Sequence, residues 1–524
     1  MSSKLAKSAG VIGAATMASR LLGVGREMVL AAVFGANAQM DAFNVAFRVP
    51  NLLRDLFAEG AMTAAFVPTF TRTLTTGGKE AAWRLGNLVM NALILVTAVL
   101  VLIGILFAPQ ITRAIAPEFA PEKLALTTDL TRIMLPFLTM LAVATAMMGM
   151  LNSLRRFFVP SLSPAMFNVA SIFSALAIVP LMPYFGLEPI VGMAIGTLLG
   201  GLGQILLQWP TLKREGFRYQ PIVSFKDPTV LEILRLMGPA TLGLAAVQVN
   251  VFVNTVLATG EPGAVSWLQY AFRLMYLPIG IFGVSIATAS LPEISRQANA
   301  NDLPAVRGSV SRGLRMMLML NVPAMVGLIV LAEPIVAMIY QRGEFMVSDT
   351  INTAAALMFY APGLIGYSAV KIASPTFYSL RDSRTPVIVS VLSVGVNLAL
   401  NLALVRILGF KGLALGTGIA AIFNSVVLLW LLRRRLDGLD GHRIFVSLAK
   451  IAVASAAMGL AAQMALGWLS AVTPAGGELA KIVRVAGSIA LALLALAASA
   501  RLLRIQEFNE ATARVLSRFG RRSA

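Results

Sequence analysis

Apolar runs of membrane-crossing length follow one another from end to end of this 524-residue chain. They lie at about 9–34, 39–71, 85–108, 124–152, 160–183, 188–209, 229–258, 265–294, 311–332, 349–379, 386–406, 410–432, 446–470 and 480–503. A helix rises about 1.5 Å per residue, so about 20 apolar residues cross a bilayer's hydrocarbon. Inside hydrocarbon every backbone N–H and C=O must be satisfied within the protein, which makes runs of this length helices. The pattern predicts an all-α polytopic membrane protein of about 14 transmembrane helices. Composition agrees: 57% of residues are hydrophobic and 13% charged, where a soluble domain has about 25% charged. A soluble enzyme is excluded. The second and tenth runs exceed what a bilayer needs and should tilt, bend or protrude.

The formal charge of +19 raises the question of a nucleic-acid partner, and the placement of the cations answers it. With the N-terminus cytoplasmic, the inside loops hold Arg72, Lys79, Arg84, Arg155, Arg156, Lys213, Arg214, Arg218, Arg381, Arg384 and the arginines at 433–435, while few cations such as Arg113, Lys123, Arg342 and Lys411 fall outside. This is the positive-inside asymmetry, so both termini are expected in the cytoplasm and no nucleic acid is expected as a partner. The basic tail, with Arg514, Arg518, Arg521 and Arg522, suits anionic membrane lipids. The first run continues without a cleavage motif and reads as an uncleaved span. With no cysteine and only His442, disulfides and Cys/His zinc sites are excluded.

The chain also repeats itself. Ala46-Phe47-Arg48 recurs as Ala271-Phe272-Arg273, Pro68 with Arg72 as Pro292 with Arg296, Ser153-Leu154-Arg155 with Pro160 as Ser379-Leu380-Arg381 with Pro386, and Gly192 with Thr197 as Gly412 with Thr417, each about 220–226 residues on. Six spans per copy is an even number, so both copies enter the membrane from one side, as parallel repeats do in transporters. The expected organisation is an N-lobe at 1–220, a C-lobe at 221–437, two further helices at 438–505 and a basic tail at 506–524.

Several charges stand where hydrocarbon should be. An arginine near a span's centre costs about 2.5–3.5 kcal/mol unless it meets water or a partner. Arg132 has Asp129 three residues before it, a spacing that predicts a pair. Arg20 and Arg26 share one span with Gly23 and Gly25 between them, and such glycines permit bending and close approach. In the second run Asp41, Arg48, Asp55 and Glu59 fall within about 40° of one another on a helical wheel, while Arg54 points elsewhere and Pro50 kinks the helix between them. Arg20, Arg26, Arg54 and Arg273 are left without an obvious local acid. Guanidinium forks suit phosphate or carboxylate oxygens, so an anionic ligand is expected, a phosphate or diphosphate.

Ser19-Arg20-Leu-Leu-Gly23, Gly35-Ala36 with Asp41-Ala-Phe43, Pro50-Asn51-Leu-Leu-Arg54 with Ala58-Glu59-Gly60, Phe66-Val-Pro68 and Ser266-Trp267 with Arg273-Leu274 resemble the MurJ (MviN) lipid II flippases of the multidrug/oligosaccharidyl-lipid/polysaccharide exporter superfamily. The resemblance implies movement of undecaprenyl-diphosphate-linked disaccharide-pentapeptide from the cytoplasmic to the periplasmic leaflet of the inner membrane by alternating access, for peptidoglycan synthesis. It implies a substrate site of Arg20, Arg26, Arg54 and Arg273, with Asp41, Asn51, Glu59 and Ser19, hinge glycines at Gly23 and Gly25, and a groove for the polyprenyl tail on the last two helices. Phe272 and Tyr276 depart from the enterobacterial form, which carries acids there. The partners implied are lipid II, membrane lipids and the cell-wall synthesis enzymes alongside which such proteins work.

No catalytic residue, cofactor or metal is expected. No Walker A motif occurs, and the membrane potential is the expected driving force. Some relatives bind sodium through carboxylates, but here the seventh run offers only Glu232 near its end and the eleventh offers Asn397 and Asn401, so a sodium site is not supported. Lys371 lines polar space without an assigned role. Other readings are another exporter of the same superfamily, carrying a polysaccharide lipid or coupled to cations for drugs, and a non-transporting cell-wall scaffold.

Overall fold

The computed structural model describes residues 3–55, 60–473, 477–510 and 512, with side chains described at 17–55, 65–237, 248–473, 477–510 and 512. Among these residues all regular structure is helical: α1 (Ser3–Phe34), α2 (Ala38–Arg54), α3 (Gly60–Leu106), α4 (Ala108–Ile115), α5 (Pro121–Met134), α6 (Phe137–Ser153), α7 (Phe158–Phe173), α8 (Val191–Arg214), α9 (Pro228–Ala258), α10 (Ala264–Pro278), α11 (Val284–Asn299), α12 (Leu303–Val330), α13 (Ala332–Tyr340), α14 (Val347–Tyr360), α15 (Gly363–Ser379), α16 (Arg384–Leu408), α17 (Phe410–Arg435), α18 (Gly441–Val472) and α19 (Glu478–Leu502). Single π-helical turns at Ser174–Ile178 and Ile279–Gly283 extend α7 and join α10 to α11.

Ten of the described helical segments are long and apolar enough to cross a membrane, or eleven when α14 and α15, bent by 45° around Ala361 and Pro362, form one span. The expected fourteen is therefore not reached among the described residues. The second run holds α2, described to Arg54, and the first part of α3, described from Gly60, and residues 56–59 between them lie outside the described residues. Beyond the run α3 continues through Gly78, whose φ of 74° breaks its helical path. Only glycine takes that backbone without a steric cost. Two short helices, α4 and α13, lie between the third and fourth runs and between the ninth and tenth, at matching places in the two repeats.

Helix ends follow local chemistry. Gly35, at φ 59°, closes α1, and Asn37 caps α2 by accepting from the Met40 N–H at 2.9 Å. The repeat also persists in backbone detail. Arg155 and Arg381 both sit in the left-handed region, at φ 60° and 59°. Behind each, the same turn forms: Arg156 N–H donates to Leu151 O and Asp382 N–H to Phe377 O, both at 2.9 Å. These bonds cap α6 and α15 in the same manner.

Two compact units emerge, Met1–Ser266 with Arg342–Phe345, and Trp267–Gln341 with Met346–Ala524. In the first, Phe66, Phe70, Met90, Met147, Met150 and Leu212 belong to a core where α3, α6 and α8 meet, and α9 packs against α3. The 342–345 segment joins it by backbone: Glu344 N–H donates to Ala32 O at 2.9 Å, and a Cβ on Gly343 would stand 2.1 Å from that oxygen. In the second, Val306, Met317, Phe377, Leu428, Leu432 and Ile451 belong to a core of α11, α12, α15, α17 and α18. Ile505, past the last span, is buried in that same core.

Candidate functional site

In the first unit the arginines singled out from sequence lie on α1 and α2. Arg26 is buried and ion-pairs with Glu27, its guanidinium 5.1 Å from the Phe167 ring centre. Arg54 pairs with Asp55 through Nη2 at 2.8 Å and Nε at 3.0 Å, and Gln248 donates to the other Asp55 oxygen at 3.1 Å. The expectation that these two arginines lack a local acid is thus corrected. Adjacent helical residues point about 100° apart, so such pairs do not show on a wheel, and a flexible guanidinium bridges the gap. Arg132 does pair with Asp129, at 3.3 Å. Arg20 is exposed and has no ion-pair partner among the described residues.

The Ser19 carbonyl accepts from Asn168 Nδ2 at 3.1 Å, tying α1 to α7. α1 runs unbroken through Gly23 and Gly25. A Cβ at Gly25 would meet nothing within 4 Å and at Gly23 only ordinary contact with Asn168, so close packing does not explain these glycines.

Asp41 has no exposed surface. Its Oδ2 accepts from Lys123 Nζ at 2.9 Å and from the Gly263 N–H at 2.8 Å; its Oδ1 accepts from the Ser266 N–H at 3.1 Å and the Ser266 hydroxyl at 2.7 Å. Asn44 donates to that hydroxyl oxygen at 3.1 Å, and Lys123 stands 3.8 Å from the Phe119 ring centre. A buried charge persists when paired and hydrogen-bonded, and this carboxylate is both. Asp41 thus ties α2 to α5 and to the start of α10. Asn51 lines a cavity of about 20 Å³ with Arg48, Gln248 and Thr255, room for one water. Glu59 lies outside the described residues.

In the second unit Arg273 is exposed on α10, in an aromatic neighbourhood of Phe272, Tyr276, Tyr360 and Tyr367. Lys371 is exposed on α15. Asn401 donates to Asn397 at 3.0 Å, and Asn397 to Thr417 at 3.4 Å. No group of three or more His, Asp or Glu able to hold a metal occurs among the described residues. Lys123, Gly263 and Gln248 were not found by sequence reasoning, because nothing local marks a contact with a residue far along the chain.

A family model described as lipid II flippase MurJ matches residues 30–480. A probable lipid II flippase MurJ of Vibrio cholerae serotype O1 is 35% identical over 438 residues, covering 82% of this chain and 83% of that protein. The lipid II flippase MurJ of Burkholderia cenocepacia is 34% identical over 428 residues, covering 80% and 82%. A solved lipid II flippase MurJ in an inward closed conformation aligns with a TM-score of 0.76 and 25% identity, covering 94% of this chain and 99% of that one. An inward-facing MATE family multidrug resistance transporter of the MOP superfamily shares the fold, with a TM-score of 0.67 and 18% identity over 82% of this chain and 98% of that one.

Proposed function

The chain belongs to the lipid II flippase MurJ family, and from that premise we propose that it carries undecaprenyl-diphosphate-linked disaccharide-pentapeptide from the cytoplasmic to the periplasmic leaflet for peptidoglycan synthesis. It is a multi-span membrane transporter and not an enzyme. The observation that carries the reading is family membership over most of the chain, joined by guanidiniums retained in apolar helices, where each requires a partner or water.

In this proposal Arg20, Arg26, Arg54 and Arg273 clasp the diphosphate in turn as access alternates, with Ser19, Asn51 and Glu59 contacting the headgroup. Arg26 and Arg54 exchange their neighbouring carboxylates for phosphate oxygens. Asp41, held by four donors, belongs to the same headgroup site, where it fixes α5 and the start of α10 against α2. Gly23 and Gly25 let α1 bend, which the open space at Gly25 supports. The lobes are 1–220 and 221–437, the tail rests along 438–505, and 506–524 meets anionic headgroups. The protein sits in the inner membrane with both termini in the cytoplasm and works alongside cell-wall synthesis enzymes. The inside-negative potential drives anionic cargo outward, at about 2.3 kcal/mol per charge per 100 mV.

Depletion of the protein is expected to trap lipid II in the inner leaflet, read by a leaflet-specific accessibility assay; an unchanged distribution overturns the proposal. At equal protein level, Arg273→Ala is expected to abolish flipping and Arg273→Lys to retain part of it. Undiminished flipping by Arg273→Ala removes that arginine from the clasp.

A further inference from the structure

We propose that the face of α10 beside Arg273 is a saccharide subsite, in which Phe272 and Tyr276 take the apolar face of a pyranose ring of the cargo headgroup. This rests on the flippase reading and names a part of the cargo that the arginines do not explain.

Arg273 lies about 14 Å along α10 from its start, deep within a span. An exposed guanidinium at that depth is tolerated where its face meets a wet cavity rather than lipid. Tyr276, one turn further on the same face, is 42% exposed, and its hydroxyl has no hydrogen-bond partner among the described residues. A tyrosine serving only to fill a core would be covered. The Phe272 ring lies 5.8 Å from that of Tyr276 with planes 31° apart, and Tyr360 and Tyr367 hold it edge-on at 5.5 and 6.3 Å. Gln269 stands one turn before Arg273 on the same stripe.

A pyranose offers one face of C–H groups and a rim of hydroxyls. The C–H groups carry partial positive charge and are drawn to the negative face of an aromatic ring. The rim needs donors and acceptors, which the Gln269 amide and the Tyr276 hydroxyl supply. A polyprenyl tail would accept the rings but not the adjacent guanidinium. A π-helical turn, a feature frequent at functional sites, follows directly at Ile279–Gly283.

The test measures binding to the purified full-length chain of two synthetic lipids, undecaprenyl diphosphate and the same lipid bearing the disaccharide without peptide. The wild type is expected to prefer the disaccharide lipid. Tyr276→Leu should weaken that lipid about three- to tenfold and leave the bare diphosphate unchanged, while Tyr276→Phe, which keeps the ring, should lose less. Phe272→Leu should act in the same direction. Equal losses for both lipids, or no loss for the disaccharide lipid, overturn the subsite while leaving the flippase reading intact. A wild type that binds neither lipid overturns both.

Discussion

Asp41 shows how much one carboxylate can organise. With no exposed surface it depends on Lys123, two backbone N–H groups and the Ser266 hydroxyl. Removing one charge of a buried pair strands the other, at a cost of about 3–5 kcal/mol. Asp41→Asn is therefore expected to lower the melting temperature of the purified protein, and Lys123→Met added to it to recover part of the loss, a coupling read in a double-mutant cycle. The sequence marked Asp41 as a charge in an apolar run but could not show its partners, which lie 82 to 225 positions away. Arg132 with Asp129 was legible because the i, i+3 spacing is itself the geometry. Arg26 with Glu27 and Arg54 with Asp55 were not, since side-chain flexibility rather than spacing brings them together.

At the scale of elements, two asparagines one turn apart on α3 hold the segment that joins the two repeats. Asn87 donates to Arg218 O at 3.0 Å and accepts from the Gln220 N–H at 2.9 Å. Asn91 donates to Gln220 O at 2.7 Å and Ile222 O at 2.9 Å, and accepts from the Tyr219 hydroxyl at 2.8 Å. The side chains thus supply a ladder that the segment cannot form alone. Each bond contributes about 1 kcal/mol, so Asn91→Ala should release the segment locally, seen as faster protease cleavage within 217–222 without general unfolding.

The start of α16 carries a comparable device. Asp382 accepts from the Thr385 N–H at 3.0 Å and the Thr385 hydroxyl at 2.8 Å, and these bonds hold its carboxyl below the usual carboxylate range, with the backbone bond the larger cause and burial opposing. A depressed carboxylate stabilises the fold fully above its unfolded pKa, and the contribution is lost as pH falls from there through the folded value. The melting-temperature gap between the wild type and Asp382→Ala should accordingly be present at neutral pH and close on acidification below the carboxylate range. Elements of this kind were only partly legible. Apolar length located most helices, but it left α4 and α13 unmarked between the runs, because helices of eight or nine residues make no run of membrane-crossing length.

For the whole molecule, the repeat was the most legible property. α6 and α7 begin at Phe137 and Phe158, and α15 and α16 at Gly363 and Arg384, keeping the spacing that the motifs announced. The compact units nevertheless divide the chain at Ser266 and Trp267, since α9 packs on the first unit. A repeat is a record of sequence, whereas a compact unit is a result of packing.

The paired turns at Arg155 and Arg381 carry a consequence for how such a chain is made. A left-handed backbone at a residue with a Cβ costs about 1–2 kcal/mol that glycine would avoid. Both copies nonetheless hold arginine there. Under the proposed orientation these cations help the insertion machinery decide which way each hairpin enters the bilayer, before any packing exists. Replacing both by glycine should give a mature protein that melts at a higher temperature, but a newly made population with more inverted hairpins, read by side-specific labelling of cysteines placed in the loops. Biogenesis and final stability place opposite demands on the same two positions, and the strained turns are where the molecule keeps the trace of its insertion.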